Sequence, residues 1–261
     1  MPQPSELSWQ QASILIADDE PDMREIFAAW LRKLGCTVTE VVDGREALDA
    51  LARNNFDAIV TDVRMPRVDG IQLVRHLHAS GKYVPVIIFV SGFVDLPLPD
   101  AYDLGVEAVL SKPCPRKELI AALRRSIQRR HLVYEPGEGI VPPDPQNILR
   151  EEFPVALEDS NVALGRGGVS LDAPPEAAAA SAVHFLFTFA RGALPFVRGW
   201  GVVRWCEKIG ERHRAGIEFM YLEEECRESF AAWLQRARPA SFIPKNVAGE
   251  GASRASPDRS L

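Results

Sequence analysis

Five short apolar runs, each followed by a stretch with helical spacing, constrain this chain more than any other feature of its sequence. SILIA (13–17) leads into Asp18-Asp19, and Pro21 then opens a segment in which Met23, Ile26, Phe27, Trp30, Leu31 and Leu34 recur at helical intervals until Gly35 stops it. The unit repeats as CTVTEVV (36–42) into REALDALARN, FDAIVTD (56–62) into GIQLVRHLHAS, VPVIIFV (84–90) into a weaker helix, and EAVLS (107–111) into KELIAALRRSIQRR. Apolar strands alternating with helices predict an α/β fold, a doubly wound parallel sheet of five strands covered on both faces. Such sheets bind ligands beyond the carboxyl ends of their strands.

Asp18, Asp19, Asp62, Ser91 and Lys112 all fall at that edge. Each alone has an ordinary use: an Asp-Asp pair after a strand caps a helix or sits in a solvated loop, and a serine closing a strand serves as a turn hydroxyl. Their convergence asks for another reason. Three carboxylates at one sheet edge repel one another, and a divalent cation among them would remove that cost. The lysine and the hydroxyl suit the oxygens of a phosphoryl group carried by the third carboxylate. A carboxylate attacks an anion poorly, so positive charge must neutralise the incoming phosphoryl group. After Asp62, MPRVDG (65–70) forms a turn in which Pro66 fixes the backbone and Gly70 ends the loop before the next helix; the Lys112-Pro113 peptide is a candidate cis bond.

These pieces, ILIADDEPDMR (14–24), IVTDVRMPRVDG (59–70), VSG (90–92) and VLSKPCPRKEL (109–119), resemble the receiver (CheY-like) domain of two-component response regulators over residues 12–131. The resemblance implies that Asp62 is the phosphoacceptor, that Asp18 and Asp19 hold Mg2+ directly or through water, and that Arg64 offers its backbone carbonyl to the metal. Ser91 and Lys112 would bind the phosphoryl oxygens and carry the switch. Two departures bear on output. The aromatic that commonly sits three residues before the lysine is Val109 here, and Pro97 and Pro99 interrupt the front of the fourth helix, which is expected as a short helix from about Asp100. Activation is therefore expected to act through the Ser91 loop and domain contacts more than through receiver dimerisation.

At 261 residues the chain has room for two domains of ordinary size, and its 46% hydrophobic and 25% charged residues are normal globular composition. A net charge of -6 gives no overall pull toward nucleic acid or an anionic membrane. Cys36, Cys114, Cys206 and Cys226 are scattered without CxxC spacing, which favours reduced thiols over a zinc site or a disulfide framework. MPQPSELSWQQ at the start has neither a basic nor an apolar leader region, and no apolar run reaches the roughly 18 residues of a membrane span. The expected location is cytoplasmic, with no membrane insertion.

Residues 132–147, rich in proline and glycine, are expected as a linker, and beyond them the period changes to two. In AVHFLFTFA, Val183, Phe185, Phe187 and Phe189 share a face; in VRGWGVVRWCE, Val203 and Trp205 share one face with Trp200 and Val202 on the other; in HRAGIEFM, Ala215, Ile217 and Phe219 alternate. These should be antiparallel strands of a small all-β barrel or sandwich, capped by a C-terminal helix over 221–238 with Leu222, Cys226, Phe230, Trp233 and Leu234 in one stripe. Residues 239–261 are expected to be a disordered tail.

LGRGGVSL (164–171), WGVVRWCEK (200–208), HRAGIEFM (213–220) and the final helix resemble the PilZ domain, a bacterial module best known for binding cyclic di-GMP, over residues 148–238. The ligand signatures of that family are damaged. Its RxxxR segment would have to use Arg150, where LREEFP brings glutamates and proline, and its [D/N]xSxxG segment falls on Ala163 to Gly168 and keeps only Gly168. Arg150, Arg166 and Gly168 are what is left of a degenerate nucleotide site. Missing guanidinium and hydroxyl groups argue against strong cyclic di-GMP binding. The resulting expectation is not an enzyme but a phosphorelay switch. A sensor histidine kinase or phosphotransfer protein would phosphorylate it, and a PilZ-like output would act on an unidentified protein partner. A phosphorylation-gated cyclic di-GMP receptor is the alternative. A DNA-binding regulator is disfavoured, because residues 148–238 show no pair of short helices with a basic recognition face.

Overall fold

The computed structural model describes residues 11–80, 84–92, 96–130, 148–153, 157, 161–173, 182–209 and 211–245. The chain divides into two compact units, Met1–Val133 and Tyr134–Leu261. The whole of the expected linker (132–147) lies outside the described residues.

The first unit runs β1 (Ser13–Ala17), α1 (Pro21–Arg32), β2 (Thr37–Val41), α2 (Gly44–Arg53), β3 (Ala58–Thr61), α3 (Gly70–Ala79), β4 (Val86–Ser91), α4 (Leu98–Leu104), β5 (Ala108–Ser111) and α5 (Arg116–Arg130). Its five strands are parallel in the order β2-β1-β3-β4-β5, the expected doubly wound arrangement. Side chains alternate between faces with the pleat. Ile14, Ile16, Val60, Ile88 and Val90 pack with Phe27, Leu31, Leu119 and Leu123 from α1 and α5. Leu15, Ala17, Ile59, Ile87 and Phe89 pack with Leu73, Val74, Leu77 and Ala101 from α3 and α4. Both faces of β3 and β4 are buried, which is why these strands read as unbroken apolar runs. Burial of one such Ile or Phe stabilises by about 1.5 to 3 kcal/mol.

The helix starts follow local chemistry. Pro21 sits in the first turn of α1, and Asp69 and Gln72 form a reciprocal capping box on α3. α4 begins at Leu98, two residues before the expected start, because Pro97 takes the cap position and Pro99 falls in the first turn, where a missing N–H costs no helical bond.

The second unit contains β6 (Ile148–Phe153), β7 (Ala163–Leu164), β8 (Gly168–Ala173), β9 (Ala182–Phe189), β10 (Phe196–Ile209), β11 (Arg212–Leu222) and α6 (Glu224–Ala237). They form one six-stranded sheet in the order β6-β9-β10-β11-β8-β7. Val183, Phe185, Phe187 and Phe189 alternate inward along β9 as the period of two predicts. Cys226 and Phe230 of α6 are buried, with Phe230 edge-on to Phe219 at 5.7 Å.

The strands expected as antiparallel are so, β9 pairing with β10 and β10 with β11 in antiparallel register. At the sheet's edge β6 adds a parallel pairing to β9. Trp200 is buried, as Val203 and Trp205 are, and the β10–β11 register shifts between Trp200 and Gly201. The tail does not begin at Pro239, since Phe242 and Ile243 are 2% and 0% exposed. The amide of Gly167 donates to the Phe242 carbonyl at 3.0 Å and the Arg214 side chain to the Lys245 carbonyl at 2.9 Å. A Cβ on Gly167 would lie 1.7 Å from the Phe242 ring, so the Gly-Gly turn admits this segment only as glycine. Residues 246–261 of the expected tail lie outside the described residues. Among the described residues, no helix is long and apolar enough to cross a membrane.

Candidate functional site

The carboxyl ends of β1, β3, β4 and β5 bring Asp18, Asp62, Ser91 and Lys112 to one edge of the sheet. Parallel register does this directly: Ala17 pairs with Thr61, placing the next residues Asp18 and Asp62 side by side, and the Asp62 amide donates to the Ala17 carbonyl at 2.9 Å. Ser91 pairs with Ser111, and the Lys112 amide donates to the Ser91 carbonyl at 2.8 Å. Asp18, Asp62 and Ser91 are 2%, 7% and 7% exposed, unusual for two carboxylates.

The Lys112 Nζ donates to Asp62 Oδ2 at 2.5 Å and Glu20 Oε1 at 2.7 Å, and lies 3.0 Å from Asp18 Oδ2. Burial pushes the Lys112 ammonium toward deprotonation, but the hydrogen bonds to Asp62, Glu20 and Asp18 outweigh it and hold its pKa above the ordinary lysine value. Asp18 moves the other way for a carboxylate. Its burial raises the pKa more than the Glu20 amide and Lys112 lower it, and the neighbouring Asp62 charge adds to the rise. One ammonium therefore faces three carboxylates.

Carboxylate oxygens of Asp18, Glu20 and Asp62 lie within 4.8 Å of one another. This all-oxygen set with surplus negative charge suits a hard divalent cation such as Mg2+. The structure brings Glu20 into the close set where the sequence pointed to Asp19. Asp19 is exposed and instead lines a cleft of about 490 Å³ with Val63, Arg64, Met65, Pro66, Asp69 and Ile71. Glu20, itself exposed, joins the set by accepting a hydrogen bond from the Lys112 ammonium; its signal was only the third acid of the DDE run. Behind the cluster the Arg24 Nη1 donates to the Asp18 carbonyl at 2.6 Å, fixing the turn that carries the acids.

The loop after Asp62 is tightly built. Its Arg64 amide donates to Asp62 Oδ1 at 3.1 Å, and the Thr61 hydroxyl donates to the Asp62 carbonyl at 2.9 Å. The Gly70 amide donates to the Val63 carbonyl at 3.0 Å, and a Cβ there would meet the Asp62 carbonyl oxygen at 2.3 Å. Only glycine lets the loop close so soon after the aspartate. The Lys112-Pro113 peptide is cis. Val109 stands beside the buried Phe89 on β4 and packs into the core on the α3 and α4 side.

The residual nucleotide residues are not assembled in this way. Arg150 is exposed on β6, while Gly168 opens β8, with three strands between them in the sheet order. Arg166 donates from Nε to the Ala240 carbonyl at 3.3 Å, and its guanidinium lies 5.9 Å from the Phe242 ring centroid. The segment 240–244 thus packs over the turn.

Residues 14–124 match the family described as the response regulator receiver domain. The chain is 30% identical over 159 residues to the response regulator MprA of Mycolicibacterium vanbaalenii, covering 58% of this chain and 69% of that protein. It is 34% identical over 126 residues to the C4-dicarboxylate transport transcriptional regulatory protein DctD of Pseudomonas aeruginosa, covering 48% of this chain and 27% of that protein. A solved receiver domain of a sensor histidine kinase from Pseudomonas aeruginosa PAO1, with a magnesium ion coordinated in its active site cleft, is 33% identical, covers 45% of this chain and 98% of its own, and aligns with a TM-score of 0.41.

Proposed function

The chain belongs to the response regulators, with a receiver domain over residues 14–124, and from that premise we propose that it is a phosphorelay switch whose phosphoacceptor is Asp62. The observation that carries this reading is the Lys112 ammonium 2.5 Å from the Asp62 carboxylate, in a cluster with more negative than positive charge. Mg2+ would be held by Asp18, Asp62 and the Arg64 carbonyl, with Glu20 or Asp19 completing the acidic set, and would supply the charge neutralisation that lets one anion attack another. In the transfer an Asp62 oxygen forms a bond to phosphorus as the bond from phosphorus to the imidazole nitrogen of a partner's phosphohistidine breaks. The leaving imidazole nitrogen takes up a proton from solvent. Lys112 then turns from three carboxylates to the phosphoryl oxygens, and Ser91 donates its hydroxyl to the same group.

The phosphoryl group adds about -1.5 to -2 of charge at pH 7. Added beside Ser91, that charge biases the β4–α4 connection, and with Val109 in the aromatic position the Ser91 loop carries the signal. We read the chain as a switch rather than a turnover enzyme. We read the second unit as a PilZ-like output that works mainly through protein contacts in the cytoplasm, without DNA. Its single six-stranded sheet and closing helix support this, as does the coverage of the Gly-Gly turn by Phe242. Arg166, half-buried at the turn, is what keeps cyclic di-GMP as the second reading. Incubation with acetyl phosphate and Mg2+ tests the receiver assignment: wild type should gain one hydroxylamine-labile phosphate and Asp62→Asn none. Titration of cyclic di-GMP into the full chain tests the output, with binding tighter than micromolar overturning the protein-contact reading.

A further inference from the structure

Arg67, five residues after Asp62, has φ of 64°, a left-handed conformation that a non-glycine residue adopts only when its surroundings hold it there. Those surroundings come from α2. The Arg67 guanidinium pairs through Nε with Asp43 Oδ2 and through Nη2 with Glu46 Oε1 at 3.2 Å. Asp43 is fully buried and divides its oxygens between two tasks: Oδ1 caps α2 by accepting from the amides of Arg45 at 2.8 Å and Glu46 at 3.0 Å, and Oδ2 takes Arg67. The backbones are locked at the same place, with the Gly44 amide donating to the Val68 carbonyl at 3.0 Å. A Cβ on Gly44 would meet that oxygen at 2.5 Å.

The loop from Val63 to Pro66 therefore hangs between two fixed points. One is the close approach of Gly70 to the Asp62 carbonyl, and the other is the α2 N-terminus holding Arg67 and Val68. Between them lie Arg64, Met65 and Pro66, which line the cleft beside Asp19.

We propose that Arg67 is a positioning residue: the Asp43–Arg67–Glu46 clamp holds the β3–α3 loop in the shape that aims the Arg64 carbonyl and the Asp62 side chain at one cation. This rests on the reading of Asp62 and its neighbours as a Mg2+-dependent phosphorylation site. The clamp touches neither metal nor phosphoryl group. Its loss should raise the Mg2+ concentration needed for half-maximal phosphorylation and leave the rate at saturating Mg2+ nearly intact, because the chemistry is unchanged once the ion is bound.

Arg67→Gly separates the two things Arg67 does, since glycine adopts the left-handed backbone freely but cannot reach Asp43. Asp43→Asn keeps the capping oxygen and removes the charge facing Arg67. Acetyl-phosphate labelling of the full chain as a function of Mg2+, alongside calorimetric titration of MgCl2, reads both. For either variant the half-saturating Mg2+ concentration should rise about tenfold, the maximal labelling rate should stay within about twofold, and Arg67→Lys should recover part of the affinity. Wild-type Mg2+ affinity in Arg67→Gly with full function would show that only the backbone conformation matters, and would overturn the clamp. A fall in maximal rate with unchanged Mg2+ dependence would overturn it equally. Failure of wild type to label on Asp62 at any Mg2+ concentration would sink the underlying site reading, whatever the variants do.

Discussion

The two units bury charge in opposite ways. In the first, Asp18 and Asp62 are almost inaccessible, and with Glu20 they share the single ammonium of Lys112. In the second, Arg214 is 5% exposed and its guanidinium is met from every direction: Ser170 Oγ at 3.0 Å, the Asn161 and Lys245 carbonyls at 3.1 and 2.9 Å, and Asp172 at 3.6 Å. Glu218, 1% exposed, pairs with Arg204. A closed network of this kind holds strands and loops together and leaves nothing for a ligand to supply. The open cluster carries unbalanced charge, a cost that a bound cation or a transferred group relieves. Buried charge alone does not mark a functional site; imbalance among its partners does.

Substitutions at the two places should separate accordingly. Arg214→Ala leaves its polar partners buried and unpaired, and should destabilise the second unit by about 3 to 5 kcal/mol, read by urea unfolding, with labelling of the first unit unaffected. Phe242→Ala removes the side chain seated on the Gly-Gly turn and should cost about 3 kcal/mol in the same assay. If Phe242→Ala left stability intact, the 240–245 segment would not be part of that unit's core.

In the first unit the signs reverse. Burial raises the pKa of Asp18, so the folded protein favours its protonated form. The associated stability is fully present below the ordinary carboxylate value of 3.8 and is lost as pH rises through the higher folded value. At neutral pH in EDTA, Asp18→Asn should raise the melting temperature by roughly 2 to 5 °C while weakening Mg2+ binding, and the gain should fade toward acid pH. A fall in melting temperature at neutral pH would mean that the cluster is a structural network like that of Arg214. Glu20→Gln is the smallest change: one exposed carboxylate fewer should weaken Mg2+ by about threefold, with labelling retained.

The same contrast decides what was legible in the sequence. Asp18, Asp62, Ser91 and Lys112 could be located because strand ends are visible as the last residues of apolar runs, and parallel register brings such ends together. Glu20, Arg67 and Asp43 were missed because their roles depend on how far side chains reach across loops, which periodicity does not encode. In the second unit, period two located the strands but not the parallel β6–β9 pair, whose partners are separated by two other strands in the chain. Phe242 and Ile243 were lost inside a segment whose glycine, serine and proline content dominated the reading, although two adjacent apolar residues are enough to fill one gap over the Gly-Gly turn.

We propose that the imbalance of this cluster serves the acceptance of a phosphoryl group on Asp62. Intact mass measurement of the full chain after treatment with acetyl phosphate and Mg2+, followed by borohydride reduction and peptide mapping, tests it most directly. One phosphate per chain is expected, dependent on Mg2+, with homoserine found at position 62. Labelling that persists in Asp62→Asn, or reduction mapped to another aspartate, would contradict it.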